Sequence, residues 1–68
     1  MRYRKFSPIN REHPIFELVD GDVVLFDVSR SDEGKAEIAF HDGVRGRILE
    51  LRTLERLLAE GRALVDGP

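Results

Sequence analysis

A chain of 68 residues with no cysteine holds one small domain, and it excludes disulfide scaffolds, thiol chemistry and cysteine-based zinc or iron–sulfur sites. Its net charge of −2 conceals a division: residues 1–14 carry four basic residues against Glu12, while the remainder carries seven basic and twelve acidic residues. An acidic body with a short basic arm disfavours a dedicated nucleic-acid binder, which needs a dominant basic face.

A domain of this length buries only roughly 60% of the surface its extended chain exposes. Its core is therefore marginal, and self-association is one physical way to add burial. No apolar run approaches the roughly 18 residues that span a bilayer, and "RYRKFSPINREHP" lacks the apolar stretch of a signal peptide. The expectation is a cytoplasmic protein of bacterial type, with no membrane association.

In chain order, Ser7-Pro8 and His13-Pro14 interrupt the first fourteen residues, so residues 1–14 are expected to form an extended basic N-terminal arm. Its Arg2, Arg4 and Lys5 alternate with Tyr3 and precede Phe6, a pairing of cations and rings that suits phosphate contact and base stacking. "IFELV" and "DVVLFDVS" flank Asp20-Gly21, a two-residue hairpin signal. With Asp20-Gly21 as the loop, Val19 faces Asp22, Leu18 faces Val23, Glu17 faces Val24 and Phe16 faces Leu25.

A second hairpin is expected at "SDEGK", with Gly34 in the left-handed position of a three-residue loop. It pairs Val28 with Ile38 and Phe26 with Phe40, the register that keeps one face apolar. "AEIAFH" alternates cleanly, and "RILEL" after "HDGVRGR" reads as a fourth strand of open register. "RTLERLLAEGRALV" then changes to helical period, with Leu54, Leu57, Leu58, Gly61, Leu64 and Val65 on one stripe. Thr53 is its expected N-cap and Arg56–Glu60 an i,i+4 pair. Gly61 either ends the helix or lets it approach the sheet closely; the resumed stripe favours continuation to about residue 64.

The expected fold is α+β: an antiparallel β-meander of three or four strands with one C-terminal helix packed on one face, residues 15–66 forming a single ββββα or βββα domain. The expected core is Ile15, Val19, Val24, Phe26, Val28, Ile38, Phe40, Ile48, Leu54, Leu57, Leu58 and Val65. One helix covers one sheet face, so these registers leave a second, open face bearing Phe16, Leu18, Val23, Leu25, Asp27 and Ala39. That face is covered by Tyr3, Phe6 and Ile9 of the arm, by a second copy, or by another protein.

Chemistry is weakly signalled. Asp20, Asp22, Asp32, Glu33 and Asp42 fall at turns, where short carboxylates cap local amides. His41 and Asp42, as strand neighbours, point apart. No serine sits on a nucleophile elbow. "GVRG" lacks the lysine and the βαβ setting of phosphate loops, so "HDGVRGR" reads as a strand connection with two free arginines. No catalytic residue, cofactor or metal is expected, and the chain is not expected to be an enzyme. The leading expectation is a small protein-interaction or regulatory module that self-associates through its open sheet face. The alternative is a nucleic-acid-associated protein using Arg2, Arg4, Lys5, Arg45 and Arg47.

Overall fold

The computed structural model describes residues 1–67. It has four strands, β1 (Arg2–Phe6), β2 (Ile15–Asp20), β3 (Val23–Arg30) and β4 (Ala36–Phe40), then a 3-10 turn at Asp42–Val44 and one helix, α1 (Leu51–Asp66). The strands run antiparallel in the order β1-β2-β3-β4, with α1 packed over β2 and β3. The α+β meander with a C-terminal helix is thus the architecture. No helix among the described residues is long and apolar enough to cross a membrane.

The fourth strand is not the expected one. "RILEL" forms no strand: residues 47–50 run without regular structure into α1, and Ile48 is 97% exposed rather than part of the core. The missing strand comes from the supposed N-terminal arm, because Arg2–Phe6 pairs with β2, Tyr3 opposite Leu18 and Lys5 opposite Phe16. An edge strand leaves its cations in water, so basic residues that mask the period-2 signal do not prevent pairing.

The β3–β4 hairpin follows the hydrophobic pattern, with Phe26 opposite Phe40 and Val28 opposite Ile38. Ser31 N–H donates to Lys35 at 2.8 Å, and Gly34 takes φ +85°. The β2–β3 hairpin departs from expectation. Asp20 pairs with Val23, leaving Gly21-Asp22 as the loop. Only Gly21, at φ +61°, has positive φ there, as in turns that place glycine first.

The register also shifts between Leu18 and Val19: Val19 pairs with Val24, but Leu18 pairs with Phe26. Leu25 is left as the extra residue of a bulge. Beyond it the pairing differs from the expected one by an odd number of residues, which turns β2 over. Phe16 and Leu18 consequently join Phe26 and Val28 on the helix side. The bulge lets Leu25 pack into the same cluster, so Leu18, Leu25, Phe26, Val28 and Leu57 form the core, with Tyr3, Phe16, Val44, Leu54 and Val65 against it.

Helix α1 begins at Leu51, with Glu50 at the N-cap; Thr53 lies inside and donates to Glu50 Oε1 at 3.2 Å. The expected Thr53 cap is therefore displaced by three residues. The expected Arg56–Glu60 ion pair is not formed among the described residues. The helix runs through Gly61 to Asp66 and stops at Gly67, whose amide donates to Ala63 at 3.0 Å. Gly61 is buried because β1 needs the space: a Cβ there would lie 2.5 Å from Tyr3 Oη. Tyr3 Oη donates to the Leu57 carbonyl at 2.7 Å and its ring packs edge-on to Phe26. At the other end Asp66 accepts from Arg30 at 2.8 Å and from Arg62 at 3.1 Å.

Candidate functional site

Two surfaces compete for the role. The first is the sheet face away from α1. The inverted β2 makes it polar, against the expected apolar face. Arg4 pairs with Glu17 at 2.8 Å, Glu17 lies opposite Asp27, and Asp27 accepts from or pairs with His41 Nε2 at 2.8 Å. Arg11 reaches across to Ser29 Oγ at 3.2 Å, which satisfies the buried hydroxyl. A cleft of about 430 Å³ lies here, lined by Arg11, Asp27, Ser29, Glu37, Ile38 and Ala39.

The Asp27–His41 contact escaped the sequence reading, which looked for the histidine's partner at Asp42. The signal was in the strand register itself: with Asp27 opposite Ala39, His41 is the diagonal neighbour of Asp27 on one face. At the cleft Asp27 is engaged by the neighbouring His41, and the Ser29 hydroxyl is held by Arg11 rather than by a base. No group of three or more metal-ligating side chains occurs among the described residues.

The second surface lies on the helix side. α1 stops short of β4, so the helix-facing residues of that strand are uncovered: Ile38 is 38% and Phe40 69% exposed. Across the gap Leu58 on α1 is 41% exposed, and Leu51 two turns earlier is 70% exposed. Between them runs an apolar trough of about 240 Å³, lined by Val28, Ala36, Glu37, Ile38, Leu58, Arg62 and Val65. Phe40 keeps an edge-on contact with Phe26, with ring centroids 6.0 Å apart, but its outer side is bare.

The trough adjoins an unpaired backbone edge. Ser31 N–H donates to Lys35 and His41 N–H donates to Leu25 at 3.0 Å, so the odd-numbered residues of β4 bond inward to β3. By the alternation of antiparallel ladders, the amides and carbonyls of Ala36, Ile38 and Phe40 point outward.

The expected interface residues are divided between several environments. Leu18 and Leu25 are fully buried beneath α1, and Phe16 is partly buried beside them. Val23 is exposed near the hairpin turn, packing-side neighbour of Gly43. Asp27 and Ala39 lie on the polar face. The open apolar face is thus corrected to an open strip, on β4 and the flank of α1.

The five candidate anion-binding cations do not converge. Arg4 is held by Glu17, Arg45 contacts Asp42 at 3.4 Å, and Arg47 bonds Asp20 and the Gly43 carbonyl. Arg2 and Lys5 project from opposite faces of β1. "HDGVRGR" is a 3-10 turn followed by Gly46 at φ +75°, with Val44 tucked against the core. Gly43 passes so close to the Val24 carbonyl and the Val23 side chain that no Cβ fits.

The fold and the trough define a small meander domain with one incompletely covered sheet face. Comparison with family models, curated proteins and solved structures finds no match for the chain.

Proposed function

We propose that this chain is a small, non-catalytic protein-interaction module whose contact surface is the trough between β4 and α1 together with the free β4 edge. One observation carries the reading: Ile38 and Leu58 stand exposed across an apolar trough, with Phe40 bare on the same strand, beside the outward-pointing amides of β4. Scattered apolar residues on a surface are ordinary. An apolar trough beside a hydrogen-bonding edge offers a partner strand both side-chain burial and backbone bonds.

The chain's surface area supports the same reading. At 5110 Å² it exceeds by about 700 Å² what a folded protein of this mass exposes. That excess is near the roughly 800 Å² each partner buries in a standard interface. The cleft on the other face is lined mainly by polar and charged side chains, and the cations of the nucleic-acid alternative are mostly neutralised by carboxylates.

The reading is tested by site-specific photo-crosslinking in the producing cell. A benzophenone side chain at position 40 should yield covalent protein adducts, while the same group at Phe6, exposed on the opposite edge, should yield few. Equal labelling from both positions, or none from position 40, refutes the proposal.

A further inference from the structure

We infer that the trough is completed by a second copy of this chain, added antiparallel through β4 so that two four-stranded sheets become one of eight strands about a two-fold axis at Ile38. This rests on the interaction reading above and names the partner.

The edge is complementary to itself. With the axis at Ile38, the outward-pointing amides and carbonyls of Ala36, Ile38 and Phe40 meet those of the partner's Phe40, Ile38 and Ala36. Every free backbone group of the strand is then bonded. On the helix side the opposed pairs are Ile38 with Ile38 and Ala36 with Phe40, all apolar. On the other side Glu37 faces Ala39, so the like charges are not directly opposed. Moving the axis to Glu37 would oppose the two glutamates. Moving it to Ala39 would bring Ala36 against Asp42, which belongs to the 3-10 turn, and two ladder pairs would replace three.

The alternative self-pairings are disfavoured by charge and by closure. β1 carries Arg2, Arg4 and Lys5 in five residues, so two β1 edges repel. Joining β4 to β1 of another copy is a head-to-tail contact that propagates instead of closing. β4 carries only Glu37 among its five residues and has neither defence.

The dimensions also fit. Strands repeat at about 4.8 Å, so helices centred over β2 and β3 would stand about 19 Å apart across the axis. Helices of about 10 Å diameter leave a channel about 9 Å wide. Its floor is Ile38 and Phe40 of both copies and its walls include Leu58 of both.

Sedimentation velocity on the full chain, with two substitutions at one position, tests the inference. The wild type should sediment at twice the chain mass at micromolar concentration. Ile38→Lys places two ammonium groups at the axis and should give a monomer with unchanged circular dichroism. Because the chain has no cysteine, Ile38→Cys supplies the sole thiol. Opposed hydrogen-bonded residues lie about 5.5 Å apart between Cα atoms, within disulfide reach, so mild oxidation should give a covalent dimer, while Lys5→Cys should not.

A wild type that stays monomeric at several hundred micromolar overturns the inference. So does a dimer that survives Ile38→Lys, and so does an Ile38→Cys chain that does not crosslink, whichever way the lysine variant folds. A monomer that still photo-crosslinks from position 40 to a different protein overturns the two-fold dimer and leaves the interaction module standing. A monomer with no such adduct removes both.

Discussion

β1 and β4 are both edge strands of five residues, yet the rest of the molecule treats them oppositely. β1 is tied to the helix: Tyr3 reaches from it to the Leu57 carbonyl, and Gly61 gives up its side chain so that the ring can enter. Its outer edge is studded with Arg2, Arg4 and Lys5, cations that deter a further strand. β4 has no such tie, leaves Ile38 and Phe40 bare on the helix side, and has one acidic residue along its length. A single 16-residue helix packs over β2 and β3; Tyr3 and Gly61 close the β1 side of it, and no such contact closes the β4 side among the described residues.

The facing phenylalanines provide the strongest contrast. Phe26 is 1% exposed and its cross-strand partner Phe40 is 69% exposed. Phe26→Ala should cost about 3–5 kcal/mol, the value for a fully buried ring. Phe40→Ala in the monomer should lose only its edge-on contact, about 1 kcal/mol. Urea denaturation of both variants measures the difference; equal losses would mean that β4 is covered after all. The buried bulge gives a companion case: Leu25→Glu should prevent folding, since it places an unpaired carboxylate inside the core.

The β1 side is next. Alanine normally favours a helix over glycine by about 1 kcal/mol, but at Gly61 its methyl would lie 2.5 Å from Tyr3 Oη and 3.0 Å from Cζ. Gly61→Ala should therefore destabilise by about 1–3 kcal/mol, as overpacking does, and calorimetry should show a lowered Tm. A stabilised Gly61→Ala would mean that Tyr3 does not hold the helix to β1.

Tyr3→Phe should cost about 1 kcal/mol at neutral pH, the net worth of one hydrogen bond. It should also remove a pH dependence. Burial, and secondarily the Glu60 charge, push the Tyr3 hydroxyl up from 10.0 to about 12. Between those values the unfolded chain has released a proton that the folded chain still holds. Stability is unaffected well below pH 10.0 and falls as pH rises toward 12. The chain has one tyrosine and no tryptophan, so ultraviolet titration reads this group alone. A midpoint near 10 in the folded protein would break the tie between β1 and α1.

The smallest effect belongs to the charges on the β1 edge. Arg4→Ala removes an exposed pair with Glu17 and should change stability by less than about 1 kcal/mol. Together with Lys5→Ala it should nevertheless raise the tendency to aggregate by light scattering, because two of the cations guarding the edge are gone.

Much of this organisation was legible from residue order. The β3–β4 register followed from matching Val28 with Ile38 and Phe26 with Phe40, and Gly34 marked the loop. The helix followed from its stripe, including passage through Gly61. Both successes depend on contacts local in sequence, where periodicity and turn chemistry act on the same few residues. The failures share another cause. Arg2–Phe6 looked like an arm because an edge strand buries too little for alternation to show. The bulge at Leu25 left no mark in composition, yet one unpaired residue moved Phe16 and Leu18 from the expected open face into the core. "RILEL" had the composition of a strand, but the chain turned through Gly43 into the helix and left the β4 edge, where a meander would place it, unpaired.

The exposed apolar surface depended on that departure. Residue pattern established an α+β meander with apolar residues in excess of what one helix covers. Where the excess would surface was a question of which strand took which edge and how far α1 reached across the sheet. Those are long-range choices, settled by whether Tyr3 fits against Gly61 and by the odd register shift at the bulge. Neither is encoded in any window of neighbouring residues, because each balances burial between segments that meet only when the chain has folded.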